Sequence, residues 1–184
     1  MPTPRLTEVD RQGGFSLVEL LFAMMLLGIL LTLSASALKT FWLRRALDGS
    51  TKQVTAQLRQ LQQRAVAESH PLVYGARFTE GSDSYTLLRY NPSDPTPPLC
   101  RHMNTLTMED GVEVAEGTSF TPSPYITISE CGPVGADDHF IFFFARGTAT
   151  GGTLKLTHEG LDETSRDTTA ISVTNLTGRV EGGS

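Results

Sequence analysis

The chain has 184 residues, 39% of them hydrophobic, and a formal charge of -5. That length holds one globular domain plus an anchor and argues against two full domains. The charge is uneven: residues 39–70 carry six Lys/Arg against two Asp/Glu, a local +4, while residues 71–184 carry seven against fifteen, a local -8. An acidic body excludes a broad nucleic-acid footprint, which needs clustered cations.

From Phe15 to Leu38 the sequence is apolar except for a few hydroxyls and one carboxylate, Glu19. Leu20 to Leu38 carries no charge, and nineteen helical residues rise roughly 28 Å, close to the ~30 Å core of a bilayer. Thr32, Ser34 and Ser36 are compatible with that span, because hydroxyls bond back to the preceding turn. A rival layout is a secretory signal peptide, with Arg5 and Arg11 as the charged region, Leu20 to Leu33 as the apolar region and Ser34-Ala35-Ser36-Ala37 as a cleavage site. Glu19 and the residues that follow count against it.

Leu43, Leu47, Val54, Leu58, Leu61 and Ala65 recur at the spacing of one helix face, with Gln and Arg residues on the other faces. No proline interrupts before Pro71, so the helix is expected to end near Ser69 or His70. A continuous helix from Phe15 to Ser69 is about 80 Å long, with Gly28 and Gly49 as its weak points.

After Pro71 the pattern turns to short strands between Gly- and Pro-rich breaks. The expected strands are 72–78, 84–90, 105–108, 112–115, 125–129, 140–145, 153–157 and 170–174. Phe140 to Phe144 is apolar on both faces and reads as a central strand sandwiched between other layers. The segment from Asn91 to Pro98 is the longest loop, and Gly147 to Gly152 is a second. The fold class is α+β: a long N-terminal helix followed by a β-rich, sandwich-like body.

Gly13-Gly14-Phe15-Ser16-Leu17-Val18-Glu19-Leu20-Leu21 resembles the processing motif of type IV prepilins and type II secretion pseudopilins. Residues 144–156, a strand, a glycine-rich turn and a strand, together with Ile171-Ser172-Val173 and Gly178-Arg179-Val180, resemble the GspH/FimT-type minor pseudopilins. That resemblance implies a helix packed on a β-sandwich rather than on the single sheet of major pilins. It implies four regions: a cleaved leader, 1–14; a transmembrane and assembly helix, 15–38; its amphipathic continuation, 39–70; and a β-rich globular domain, 71–184.

The same resemblance implies cleavage between Gly14 and Phe15 by a prepilin peptidase, then N-methylation of Phe15. Glu19 is expected to pair with the Phe15 amine of a neighbouring subunit, since a carboxyl in lipid costs about 2.5 kcal/mol or more and seeks a partner. Implied partners are other pilin or pseudopilin subunits, the peptidase/methyltransferase and an inner-membrane assembly platform. The implied location is a bacterial inner membrane with the body in the periplasm, then the pilus or pseudopilus. Counting cations around the span gives the opposite orientation: Arg5 and Arg11 precede it, whereas Lys39, Arg44, Arg45 and Lys52 follow it.

Cys100 and Cys131 are the only cysteines and show no CxxC spacing. In an oxidising periplasm they fit a disulfide around the proline-rich segment; two buried thiols are the alternative. Asp137-Asp138-His139 is the one carboxylate and histidine cluster, and it reads as a solvated loop rather than a metal site. No phosphate loop and no nucleophile elbow is present, so neither a cofactor nor catalysis is expected. Three functions compete: a minor pilin or pseudopilin that initiates or caps a filament, a DNA-binding minor pilin using Arg146 and Arg179, and a membrane-tethered periplasmic binding module. The acidic body makes DNA the weaker partner.

Overall fold

A computed structural model describes residues 16–68, 70–94, 99–161 and 168–183, with the side chains of 33–37 also outside the description. The chain divides into two compact units, Met1–Lys39 and Thr40–Ser184. One helix, α1, runs over Leu17–Glu68. In the first unit every described side chain from Ser16 to Thr32 is exposed. Gly28 does not interrupt the helix, and Thr32 Oγ1 donates to the Ile29 carbonyl at 2.8 Å, so its hydroxyl is absorbed locally.

In the second unit α1 buries the stripe that the sequence periodicity marks. Leu47, Val54, Leu58, Leu61 and Ala65 are buried, while Leu43 is half-buried. Ser50, Thr51 and Thr55 are buried with them. Thr51 Oγ1 donates to the Leu47 carbonyl at 2.7 Å, and Ser50 Oγ accepts the Glu109 amide at 2.9 Å, which lets Ser50 and Thr51 line an apolar face. Gly49, the second expected weak point, also lies inside the helix. A Cβ there would meet only the mobile end of the Glu109 side chain.

The strands are β1 Val73–Thr79, β2 Ser84–Tyr90, β3 Cys100–Thr107, β4 Val112–Val114, β5 Ser119–Phe120, β6 Asp138–Phe143, β7 Gly152–His158, β8 Thr169–Val173 and β9 Val180–Gly182. All pairings between them are antiparallel. One sheet has the order β3-β2-β1-β6; the other has β4-β7-β8-β9, with β5 also paired to β7. Both sheets share one core with α1, joining Tyr74, Ala76, Phe78, Ile141 and Phe143 from the first to Val112, Leu154, Leu156, Ile171 and Val180 from the second. A smaller core covers the other face of the first sheet and holds Leu88, Tyr90, Ile126, Phe140, Phe142 and both cysteines.

Three sequence expectations are corrected. The strand expected at 125–129 is absent: that stretch runs irregularly into a short 3₁₀ helix, Ile128–Cys131. Pro122 and Pro124 lack the amides a ladder needs, and Ile126 buries itself by lying over a sheet face rather than pairing into it. The Phe-rich strand β6 is covered on both faces, yet it ends its sheet instead of sitting at the centre. Its outer edge is closed by the following loop, where the Thr150 amide donates to the Phe142 carbonyl and the Phe142 amide donates back to Thr150 Oγ1 at 2.8 Å. Strand β3 starts at Cys100 rather than at Thr105, because its exposed polar first half owes its conformation to backbone pairing with β2 and needs no apolar alternation.

At the far end of the β1–β6 pair, Asp138 is a buried anchor. Its side chain is 2% exposed and accepts from Arg77 Nε at 3.0 Å, Arg77 Nη2 at 2.6 Å, Thr79 Oγ1 at 2.6 Å and the Gly135 amide at 2.6 Å. Burial alone would raise its carboxyl, but the Arg77, Thr79 and Gly135 contacts outweigh that and hold it below the usual carboxylate range. Burial pushes the Tyr85 phenol in the main core up to about 12.

Two outcomes are expected. Gly75→Ala should destabilise the fold by about 1–3 kcal/mol, because a Cβ at this β1 position would run into the Ile141 carbonyl and the Phe142 ring; the Gly49→Ala change should be far milder, as Glu109 can swing aside, and urea unfolding compares the two. Asp138→Asn should cost about 1.5–3 kcal/mol at neutral pH. The folded-state carboxyl is depressed, so this advantage is present above the unfolded value near 4 and is lost as pH falls through the folded value; the two proteins should converge in acid unfolding midpoints.

Candidate functional site

The N-terminal motif begins to be described at Ser16; Gly13, Gly14 and Phe15 of the expected processing junction lie outside the described residues. The Ser16 carbonyl accepts the Leu20 amide at 3.1 Å, which places Ser16 at the N-cap of α1 and Glu19 in its first turn. Ser16-Leu17-Val18-Glu19 therefore has the spacing of a capping box, and a carboxylate there also favours the positive end of the helix. The S-x-x-E spacing is readable in the sequence, but it marks a cap only once the start of the helix is known. The residue is exposed, and it is surrounded along the helix by exposed Leu17, Val18, Leu20, Leu21 and Phe22.

An apolar helix surface this exposed does not persist in water, so this part of α1 calls for lipid or other helices around it. Among the described residues no helix is long and apolar enough to cross a membrane. The described side chains run unbroken only from Ser16 to Thr32, and the expected span at 15–38 extends through residues 33–37, whose side chains are outside the description.

In the body, Cys100 and Cys131 form a disulfide with a Cα–Cα distance of 4.6 Å, tying the start of β3 to the 3₁₀ helix. Both are buried in the smaller core. Asp138 and His139 serve other partners: Asp138 holds Arg77, and His139 Nε2 lies 3.1 Å from Glu80 Oε1. Among the described residues no three His, Cys, Asp or Glu are arranged to hold a metal ion.

Arg146 and Arg179 are both exposed. The loop after β6 that carries Arg146 and the turn before β9 that carries Arg179 meet through the Ala149 amide, which donates to the Asn175 carbonyl at 3.0 Å. Arg179 is paired with Glu181 at 2.7 Å, and the carboxylate beside it offsets its charge toward a phosphate.

Residues 10–35 match the family described as the prokaryotic N-terminal methylation motif. The fold is similar to that of EpsH, a minor pseudopilin from the type II secretion system of Vibrio cholerae. One of its structures gives a TM-score of 0.50 at 14% identity, covering 74% of this chain and 94% of that one. A second gives 0.52 at 13% identity, covering 76% and 94%. The type IV minor pilin FimU of Pseudomonas aeruginosa gives 0.48 at 12% identity, covering 77% and 90%. No curated protein matches the sequence. The chain thus joins a prepilin-type methylation motif to a pilin-like α+β fold.

Removing the disulfide with Cys100→Ser and Cys131→Ser together should lower the body's stability by about 3–4 kcal/mol, the closure entropy of a loop with a sequence separation of 31. Denaturant melts with and without reductant check this: reductant should shift the wild type toward the double variant and leave the variant unmoved.

Proposed function

We propose that this chain is a minor pilin or pseudopilin subunit: a membrane-anchored protein that is cut between Gly14 and Phe15, methylated on Phe15 and then packed into a short filament. The observation that carries the reading is the methylation motif over residues 10–35, on a helix whose described side chains from Ser16 to Thr32 are all exposed, followed by a body of minor-pseudopilin fold. Glycine before the junction leaves the scissile bond open to a peptidase. The new Phe15 amine supplies a positive charge close in sequence to Glu19, and in a filament the carboxylate of one subunit takes the amine of the next. The same exposed leucines and methionines that lie in lipid before assembly then pack against neighbouring helices, where van der Waals contact replaces lipid contact.

The partners this reading requires are other pilin-type subunits, a prepilin peptidase/methyltransferase and an inner-membrane assembly platform. The body faces the periplasm, where its disulfide is stable. The orientation suggested by the cations after the span is set aside, because processing places the leader on the cytoplasmic side.

Intact-mass analysis of the membrane fraction should find a chain starting at methylated Phe15; a chain starting at Leu38 would return the signal-peptide layout. Glu19→Ala should leave cleavage and membrane insertion intact while lowering crosslinking into filaments at least tenfold. Unchanged crosslinking of a cleaved, stable Glu19→Ala protein would remove the intersubunit role and leave Glu19 as a helix cap.

A further inference from the structure

The second unit opens with an exposed aromatic and cationic cluster that the assembly reading does not use. Phe41 and Trp42 are each 56% exposed, with ring centroids 5.9 Å apart in an edge-to-face contact. The Arg45 guanidinium lies 5.8 Å from the centre of the Trp42 ring. With Arg44, Ala46, Asp48, Gly49, Lys52 and Glu109 these residues line an open groove on the first turns of α1 in this unit. Asp48 is held by Lys52 at 2.6 Å, and Glu109 lies against Gly49.

We propose that this groove binds the headgroups of anionic phospholipids, and that it fixes the depth of the subunit in the membrane before assembly. The inference rests on reading the preceding apolar part of α1 as a membrane anchor. Two features select this occupant. Along the chain the cluster follows that apolar segment, at the place where amphipathic aromatic rings settle at a membrane–water boundary. Its charge is complementary: Arg44, Arg45 and Lys52 outnumber Asp48 and Glu109, and Lys39 adds another cation just upstream. Arg45, lying over the Trp42 ring, carries a planar guanidinium whose forked donors suit a phosphate diester.

This also gives a physical role to the cations that stand on the wrong side of the span for the usual charge rule. Each cation near an anionic surface biases the bound population roughly fivefold, so Arg44 and Arg45 together hold the helix entry at the headgroup layer.

Trp42 is the only tryptophan in the chain and reports on the site directly. The full chain is reconstituted into phosphatidylcholine vesicles with and without phosphatidylglycerol, each carrying a headgroup-level nitroxide quencher. Quenching of Trp42 should be severalfold stronger with phosphatidylglycerol, should decline with salt, and should lose that lipid dependence in Arg44→Gln/Arg45→Gln. Equal quenching in both vesicles overturns the proposal. So does shielding that grows with protein density rather than with anionic lipid, which would assign the groove to a second copy. Alkaline carbonate washing separates the two readings: a chain washed off the vesicles overturns the membrane anchor itself, whereas an integrated chain with lipid-indifferent Trp42 overturns only the headgroup site.

Discussion

Everything in the body depends on one apolar stripe of α1, from Leu47 to Ala65. Neither sheet can bury its inner face alone: the first offers Tyr74, Ala76 and Phe78, the second Leu154, Leu156 and Ile171, and the helix stripe completes the core for both. The contact is made specific by polar side chains beside the stripe. Gln53 donates to the Thr107 carbonyl at the end of β3, Arg59 reaches the Val180 carbonyl of β9 at 3.0 Å, and Gln62 donates to the Thr177 carbonyl. Strands β3 and β9 each end their sheet, so the helix bonds to the outer strand of both sheets.

The same element carries two opposite surface chemistries. In the first unit its described side chains are exposed and, apart from Ser16, Glu19, Thr32, Lys39 and the glycine, apolar, without a preferred face. In the second its buried face is apolar and its outer face is rich in Gln and Arg. The carboxylates collect instead on the loops of the body, including Glu80, Asp83, Asp110 and Glu159. A cationic helix and an acidic body coexist because their charges lie on different elements, and the Arg77–Asp138 pair, whose carboxylate is buried, pins β1 to β6 rather than neutralising the surface.

The smaller core has a different logic. The segment between β5 and β6 forms only the short 3₁₀ helix, yet it covers the second face of the first sheet. Irregular chain can take this position because Ile126, Cys131 and Phe140 bury apolar area without a ladder, and because the disulfide removes much of the entropy that a loose flap would otherwise retain.

The sequence alone determined the elements whose signal is local. The helix face, the end of α1 near Pro71, the strands at 84–90 and 153–157, the α+β class and the methylation motif all rest on periodicity, proline geometry or a contiguous pattern of residues. What only the tertiary structure decided was long-range. Phe140 to Phe144 announces burial on both faces, but an apolar run cannot say whether its second cover is another strand or a loop; here a loop does it, and β6 stands at the end of its sheet. The strands β5 and β9 are two and three residues long and exist because a partner offers free backbone groups, which no pattern so short can encode. Arg146 and Arg179, far apart in sequence, lie on loops that hydrogen-bond to each other, while Glu181 already occupies Arg179. Ser16 shows the converse: its cap spacing with Glu19 was local and legible, but its meaning depended on where the helix begins, and backbone hydrogen bonding fixes that.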